Sequence, residues 1–524
     1  MLDIPQSTIP DLVAHHACHT PGKLAVVAAD ARLSWAAFDE AINRAANRFV
    51  EFGLRRGERV AFLMGNSAEH LYLVLGAMRA GGSAVSISSL LAPDQIADLV
   101  RNAEAVAVFV DSACWSLIEP VEHDLETVRD GGFFHDEASG RWRSWRAWLE
   151  GASTAHPGLA MSLDDEIAIS YSSGTTGVPK GVVYSHRARQ MMGLTYAIEM
   201  NFDRHAVALC TTPLYSNGTA IMLFPSLVVG ATIVLMEKFD TGAFLDLVRR
   251  ERVTHTLMVP TQYERLLRDP GLAAADLSSM KVFLTVGSPM RVETKKALLA
   301  RLGPRLYEVY GFSEGGVTII GPREMAERPT SVGIAVVGFE ARIVDVESER
   351  EMPRGETGEI VLYGGWMMRG YQKNPQQTAA LIWRDPRGRT FLRTGDIGRM
   401  DGDGYVYVVD RKKDMIISGG FNVFPADIEQ VLGAHPDVVE ATVIGVEHPQ
   451  WGEAPFAIVI LDQSARSTVE EVLSWANARL AKNQRIRGIA VRDELPRNAL
   501  GKVLKPELRR DYADRFATEA KQAG

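Results

Sequence analysis

Apolar residues recur along this chain in two alternating rhythms. Phe38, Ile42, Ala46, Phe49 and Val50 fall at helical spacing behind Ser34, which predicts an amphipathic helix over 33–55 with Ser34 as its cap. The run Arg59-Val60-Ala61-Phe62-Leu63-Met64 then reads as a strand. Asn66-Ser67-Ala68-Glu69 resembles a capping box opening a helix that stops at Gly81-Gly82. A strand at 84–87, a helix near 93–103 and a strand at 105–110 continue the alternation, the signature of a largely parallel sheet covered on both faces. Residues 115–160, rich in Trp, Asp and Gly, predict loop with short elements only.

The alternation resumes after Ile167-Ala168-Ile169, a short buried strand. Ser185 caps a predicted helix through 199, with His186 as its structural neighbour rather than a catalyst. Strands are predicted at 207–211, 256–259, 281–286 and 306–310, and helices near 242–252 and 261–268. The apolar stretch 221–236 is interrupted by Pro225, Ser226, Gly230 and Thr232 and falls short of a bilayer span, so it reads as buried core. From about 330 the texture changes to short β segments at 341–344, 358–362 and 405–409, with Asp401-Gly402-Asp403-Gly404 as a hairpin turn. Beyond Pro425, an apolar stripe at Ile428, Val431 and Leu432, strands at 440–446 and 455–461 and helices at 468–481 and 505–516 predict a small separate α+β domain.

Composition narrows the function. The chain has 524 residues, 46% of them hydrophobic, enough for two or more structural units. A net charge of −8 and pI near 5.9 argue against nucleic acid or an anionic membrane as the main partner, since both reward a positive field. Cys18, Cys114 and Cys210 are too few and too scattered for a disulfide framework or a cysteine metal site. The N-terminus shows no secretory pattern, and a reducing cytoplasm is the expected compartment.

The chemistry gathers in loops at strand ends. Residues 171–185 read Tyr-Ser-Ser-Gly-Thr-Thr-Gly-Val-Pro-Lys-Gly-Val-Val-Tyr-Ser. Glycines there let the backbone approach a charged ligand, Ser172, Ser173, Thr175 and Thr176 add hydroxyl donors, and Lys180 adds charge, a combination suited to a polyphosphate. Pro179 before Lys180 and Gly181 after it exclude a Walker-type loop, which needs Gly-Lys followed by Ser or Thr. Other loops repeat the theme: Pro213-Leu214-Tyr215-Ser216-Asn217-Gly218, Gly287-Ser288-Pro289, and Tyr310-Gly311-Phe312-Ser313-Glu314-Gly315-Gly316. Later come Arg393-Thr394-Gly395-Asp396, the charged run Asp410-Arg411-Lys412-Lys413-Asp414, the turn Ser418-Gly419-Gly420-Phe421-Asn422, and a basic loop ending in Gly501-Lys502. A solvated turn is the plain alternative for the charged run.

In their order these motifs resemble those of the adenylate-forming superfamily, which includes acyl-CoA synthetases, firefly-type luciferases and nonribosomal peptide adenylation domains. The resemblance spans nearly the whole chain. It implies an α/β fold with a large N-terminal domain over 1–412, built from two parallel-sheet α/β subdomains and a β-rich subdomain. A small mobile α+β domain over 413–524 would follow. It further implies two half-reactions: a carboxylate and MgATP give acyl-AMP and pyrophosphate, and the thiol of coenzyme A then displaces AMP.

By the same resemblance Ser172, Ser173, Gly174, Thr175, Thr176 and Lys180 handle the triphosphate, and Gly287, Ser288 and Pro289 border the adenine. Tyr310 stacks on that ring. Ser313 reaches the α-phosphate, at a position where the family more often has Thr, and Glu314 binds Mg²⁺ with Thr175. Asp396 takes the ribose hydroxyls with help from Arg411, and Asn422 contacts AMP. Lys413 is the hinge, Gly419 and Gly420 approach CoA, and Lys502 matches the family's catalytic lysine. A carboxylate is already nucleophilic at neutral pH, so the first step needs no Ser/His/Asp constellation, and none is evident.

Candidate acyl-pocket residues are Tyr215, Ser216, Val286, Gly311, Phe312, Gly315 and Gly316, neutral and partly apolar. They point to a hydrophobic aliphatic or aryl monocarboxylate. Gly315 and Gly316 read equally as simple backbone room. The runner-up is a stand-alone adenylation enzyme feeding a carrier protein; a fused carrier domain is not expected. A luciferin pocket is not identifiable, and Lys180, Glu314, Asp396 and Lys502 together weigh against a non-catalytic scaffold. Homodimerisation is an open option.

Overall fold

The computed structural model describes residues 7–29, 31–172, 180–419, 421–462, 464–497 and 503–516, without the side chains of Ser172 and Asn422. Residues 173–176 of the hydroxyl-rich loop, Gly420 and Lys502 therefore lie outside the described residues. The chain divides into two compact units, Met1–Glu340 with Tyr363–Leu392, and Ala341–Leu362 with Arg393–Gly524.

Two sheets build the first unit. An eight-stranded sheet runs Gly370–Tyr371, Lys180–Ser185, Glu166–Ser172, Ser83–Ser86, Arg59–Leu63, Ala105–Val110, Phe133–His135, Arg143–Ser144. A nine-stranded sheet runs from Ile334–Ala335 and Val317–Ile320 through Leu306–Gly311, Val282–Thr285, His255–Met258, Val207–Cys210 and Thr232–Leu235 to Leu24–Val27 and Arg32–Ser34. The period of two along each strand sends alternate residues to opposite faces: Val60 and Phe62 join one core, Ala61 and Leu63 another. The inner faces of both sheets share one cluster with the helices Trp35–Glu51, Ala68–Arg79, His186–Glu199 and Ala220–Val229. Helices on the outer faces, such as Pro93–Ala103 and Thr241–Glu251, close the sandwich.

Both sheets are mixed rather than parallel throughout. Lys180–Ser185, which the sequence presents as part of a loop, is a buried strand antiparallel to Glu166–Ser172. Val317–Ile320 likewise runs antiparallel to Leu306–Gly311. The predicted capping box is also corrected. Ser67 caps Ala68–Arg79 by accepting from the His70 amide at 3.0 Å, whereas Asn66 donates to the carbonyls of Thr212 and Met236 and accepts from the Leu214 amide. Asn66 thereby pins the loop 212–218 to two strand ends. Ser34 caps its helix as expected, through the Ala37 amide, but Val50 is 42% exposed and does not belong to the buried stripe.

In the second unit the strand Thr390–Met400, from Arg393 onward, pairs antiparallel with Val406–Arg411 across the predicted Asp401–Gly404 turn, setting Asp396 opposite Arg411. A separate sheet runs Phe421–Val423, Ile416–Ser418, Gly452–Leu461, Val438–His448, with Gly488–Val491 parallel to Gly452–Leu461. The helix Pro425–Gly433 lays Ile428 and Leu432 on it, and Val469–Asn477 adds Val472 and Ala476. Among the described residues no helix is long and apolar enough to cross a membrane.

Candidate active site

Lys180 opens the strand Lys180–Ser185, which pairs with Glu166–Ser172 on one side and with the two-residue strand Gly370–Tyr371 on the other. That pairing sets Tyr371 beside Lys180, with the ammonium 5.1 Å from the ring centroid. The Tyr371 hydroxyl donates to a carboxylate oxygen of Glu314, and the Met368 amide donates to the Glu314 carbonyl at 2.8 Å. Lys180, Tyr371 and Glu314 thus form one cation–aromatic–carboxylate group from three segments. Burial, and then the Glu314 charge, raise the Tyr371 hydroxyl's pKa, so it stays protonated and remains a donor. Tyr371 has no counterpart in the sequence reading; its signal is the Gly370-Tyr371 pair.

Behind Glu314 runs a buried polar chain. The Tyr184 hydroxyl donates to the Ser313 carbonyl at 2.6 Å and accepts from the Asn217 amide at 3.0 Å, and the Asn217 oxygen accepts from Arg189 at 2.7 Å. This chain ties the loops 213–218 and 312–316 to the strand Lys180–Ser185. Ser216 is buried, its hydroxyl accepting from the Gly218 amide, and a Cβ placed on Gly218 would lie 3.4 Å from Ser216 Oγ and 3.7 Å from Val286 Cγ1. Ser216 and Val286 are accordingly neighbours. Tyr215, Tyr310 and Phe312 are half-buried, and Gly311 closes the strand 306–311. Gly287 has φ +99°, which favours glycine, and Ser288 shares its bend, with Pro289 following.

Gly315 has little free space beside it. Its φ is +120°, and a Cβ there would sit 2.6 Å from the Met367 Cα. A Cβ on Gly311 would come 2.7 Å from the Gly316 carbonyl. His186 is buried and its pKa is pulled down to about 4 by desolvation, in keeping with a structural role.

The second unit carries the other candidates. Asp396 is 2% exposed and its Oδ1 lies 2.5 Å from Arg411 Nε. Its amide donates to Thr394 Oγ1 at 3.0 Å. Buried Glu359 accepts from both Arg393 at 2.9 Å and Lys412 at 3.2 Å. The charged run is more than a solvated turn. Asp414 pairs with Arg509 at 2.8 Å, Lys505 reaches Glu429 at 2.8 Å, and Asp410 accepts from the amides of Ala426 and Arg411. Burial pulls the Lys413 pKa below its ordinary value. Gly419 has φ +58°, and a Cβ there would meet the Trp451 ring at 2.8 Å, so only glycine fits the turn without a shift. Asn422 pairs with Ile417 through its backbone.

Burial raises the Asp410 carboxyl from 3.8 to about 6, against the pull of Lys505. An unfolded chain releases this proton near 3.8, whereas the folded state holds it to about 6, so this group costs stability as pH rises through that window. Comparing wild type with Asp410→Asn by denaturant unfolding is expected to show the difference moving by about 1–3 kcal/mol in the variant's favour between pH 4 and pH 7. A pH-independent difference would contradict this reading.

Comparison with known proteins agrees with the geometry. The AMP-binding enzyme family model matches residues 13–372, and the model of the AMP-binding enzyme C-terminal domain matches 427–502. A feruloyl-CoA synthase of Amycolatopsis is 33% identical over 497 residues, covering 94% of this chain and 96% of its own. An indoleacetate–CoA ligase of Aromatoleum aromaticum is 32% identical over 510 residues, covering 96% and 97%. The solved structure of ATP-bound MatB from Rhodopseudomonas palustris superposes with a TM-score of 0.88 at 32% identity, covering 97% of this chain and 99% of that one. The chain belongs to the AMP-binding enzyme family, within the adenylate-forming superfamily.

Proposed function

We propose that this enzyme is an AMP-forming carboxylic acid–CoA ligase acting on an acid with a hydrophobic aliphatic or aryl body. The observation that carries the reading is the group Lys180, Tyr371 and Glu314, brought together from three separate segments of the chain. Relatives named as feruloyl-, indoleacetate- and long-chain-fatty-acid–CoA ligases support the same class.

The chemical difficulty of the first step is charge, because an anionic carboxylate must attack a polyanion. Lys180 and the donors of 172–176 hold the triphosphate, and Ser313 meets the α-phosphate. Glu314 fits Mg²⁺: its carboxylate, held by the Tyr371 hydroxyl, is a hard-oxygen donor, and Mg²⁺ commonly takes one or two carboxylates, waters and substrate phosphates. Bound there with Thr175, the cation would neutralise charge that develops on the phosphates. Gly287, Ser288, Pro289 and Tyr310 accommodate adenine, Asp396 and Arg411 the ribose, and Asn422 the nucleotide. Lys502 neutralises the α-phosphate in adenylation. Rotation about Lys413 then exchanges it for the Gly419-Gly420 turn, beside which CoA enters. The acyl body lies among Tyr215, Ser216, Val286, Phe312 and Gly316.

Tyr371→Phe removes the donor on Glu314 and leaves the ring against Lys180. Its pyrophosphate release is expected to fall by about 10- to 100-fold, with a raised Mg²⁺ requirement, as for loss of one hydrogen bond to a charged group. An unchanged Mg²⁺ titration would remove Tyr371 from the account. The class itself is tested by pyrophosphate release with MgATP across short, medium, long-chain and aromatic acids, with and without CoA. CoA-dependent turnover with one acid class preferred is the expected result. Acid-dependent ATP–pyrophosphate exchange without CoA turnover would move the acceptor to a carrier protein, and silence with every acid would overturn the reading.

A further inference from the structure

Arginine 189 lies in the first turn of the helix His186–Glu199 and is turned inward, 5% exposed. Its guanidinium sits 3.6 Å from the Tyr184 ring centroid and 5.2 Å from that of Phe224. Its hydrogen bonds are to the Asn217 oxygen at 2.7 Å and the Met192 sulfur at 3.2 Å, and Nε has no partner. Among the described residues no carboxylate reaches it. The other two buried cations among the described residues of this unit are both paired: Arg79 with Asp39 at 2.7 Å, and Lys295 with Glu308. A desolvated cation facing ring faces, one amide oxygen and a thioether is electrostatically incomplete. Desolvation correspondingly pulls its pKa below the ordinary value.

The location gives this incompleteness a direction. Asn217, which holds Arg189, follows Ser216 in the loop of the proposed acyl pocket, and its amide leads through Tyr184 to the Ser313 carbonyl, next to Glu314. The cation therefore backs two of the loops that would enclose the acyl group. Resting on the CoA-ligase reading, we infer that Arg189 is a specificity residue of that pocket, and that the preferred acid carries a second oxygen acceptor, remote from its reacting carboxyl, which completes the guanidinium's hydrogen bonding. A carboxylate, a ketone and a phenolic oxygen share this chemistry. A purely aliphatic acid would leave the buried donors unmatched and be discriminated against.

The test compares acids of equal carbon count: an alkanoic acid, its ω-oxo acid and the α,ω-dicarboxylic acid, together with an aryl acid with and without a para-hydroxyl. Pyrophosphate release is measured for wild type, Arg189→Lys and Arg189→Leu, and thermal shifts with each acid are recorded in parallel. Wild type is expected to favour one oxygen-bearing acid over its plain partner by about 10- to 100-fold in kcat/KM, the range for a hydrogen bond to a charged group. Arg189→Leu is expected to collapse that ratio, and Arg189→Lys to retain part of it for the dicarboxylate. Equal turnover of plain and oxygen-bearing acids by wild type would overturn the inference, and this arm stands even if a variant fails to fold. So would an equal loss for all acids in Arg189→Leu, which marks a contact to the reacting carboxyl or a structural role. Should no acid release pyrophosphate, the ligase reading falls, and the thermal shifts decide Arg189 separately. Stabilisation of wild type by an oxygen-bearing acid, lost in Arg189→Leu, would uphold the inference; its absence would overturn it.

Discussion

Replacing Lys502 by Ala is expected to slow acyl-adenylate formation by about 10²- to 10³-fold, the range for removing one donor aimed at charge developing in a transition state. Conversion of supplied acyl-AMP to thioester should change far less, because AMP is then the leaving group and no pyrophosphate has to be expelled. The described residues flanking the loop that carries Lys502 are tied to each other and to the same unit. Arg497 and Val503 bridge its base, the Leu504 amide donates to the Pro496 carbonyl at 2.8 Å, and Arg497 is ion-paired with Glu440. Immediately beyond, Lys505 anchors the chain to Glu429 within the same unit. Rapid-quench measurement of each half-reaction separates the two steps, and an equal loss in both would remove Lys502 from its proposed role.

Asp396→Ala is expected to raise the KM for ATP by about 10²-fold, the combined loss of two charge-assisted hydrogen bonds to ribose. The acid's KM should move little. Asp396 is buried at 2% exposure, but its partner Arg411 keeps a third of its side chain exposed and can return to water, so the variant should fold. Asp396→Asn keeps the shape without the charge and is expected to fall between wild type and Asp396→Ala. An unchanged ATP KM in Asp396→Ala would contradict the assignment.

The parallel units were legible in the sequence because buried strands and amphipathic helices carry their own periodicities. Ser34, Ser67 and Ser185 cap their helices because a short hydroxyl side chain satisfies an amide that the helix leaves free. What the sequence hid depends on pairing between distant segments. The strand Lys180–Ser185 was obscured by the glycines and proline before it, although Val182-Val183-Tyr184 is strand-like. Gly370–Tyr371 is a strand only by its pairing with Val182 and Val183, so Tyr371 could not be placed beside Lys180 and Glu314 from periodicity. Arg189 looked like any polar residue on a helix; its significance comes from inward orientation, the lack of a carboxylate within reach among the described residues and the chain through Asn217 and Tyr184. In the run 410–414, a partner 95 residues away takes the Asp414 charge out of solvent, which local composition alone does not reveal.

The most direct test is product stoichiometry with a turned-over acid, MgATP and CoA, measured by chromatography of nucleotides and thioester with a pyrophosphate assay. A two-step adenylating ligase gives AMP, pyrophosphate and acyl-CoA in equal amounts, with acyl-AMP accumulating when CoA is withheld. Formation of ADP and orthophosphate, or thioester without AMP, would contradict the account.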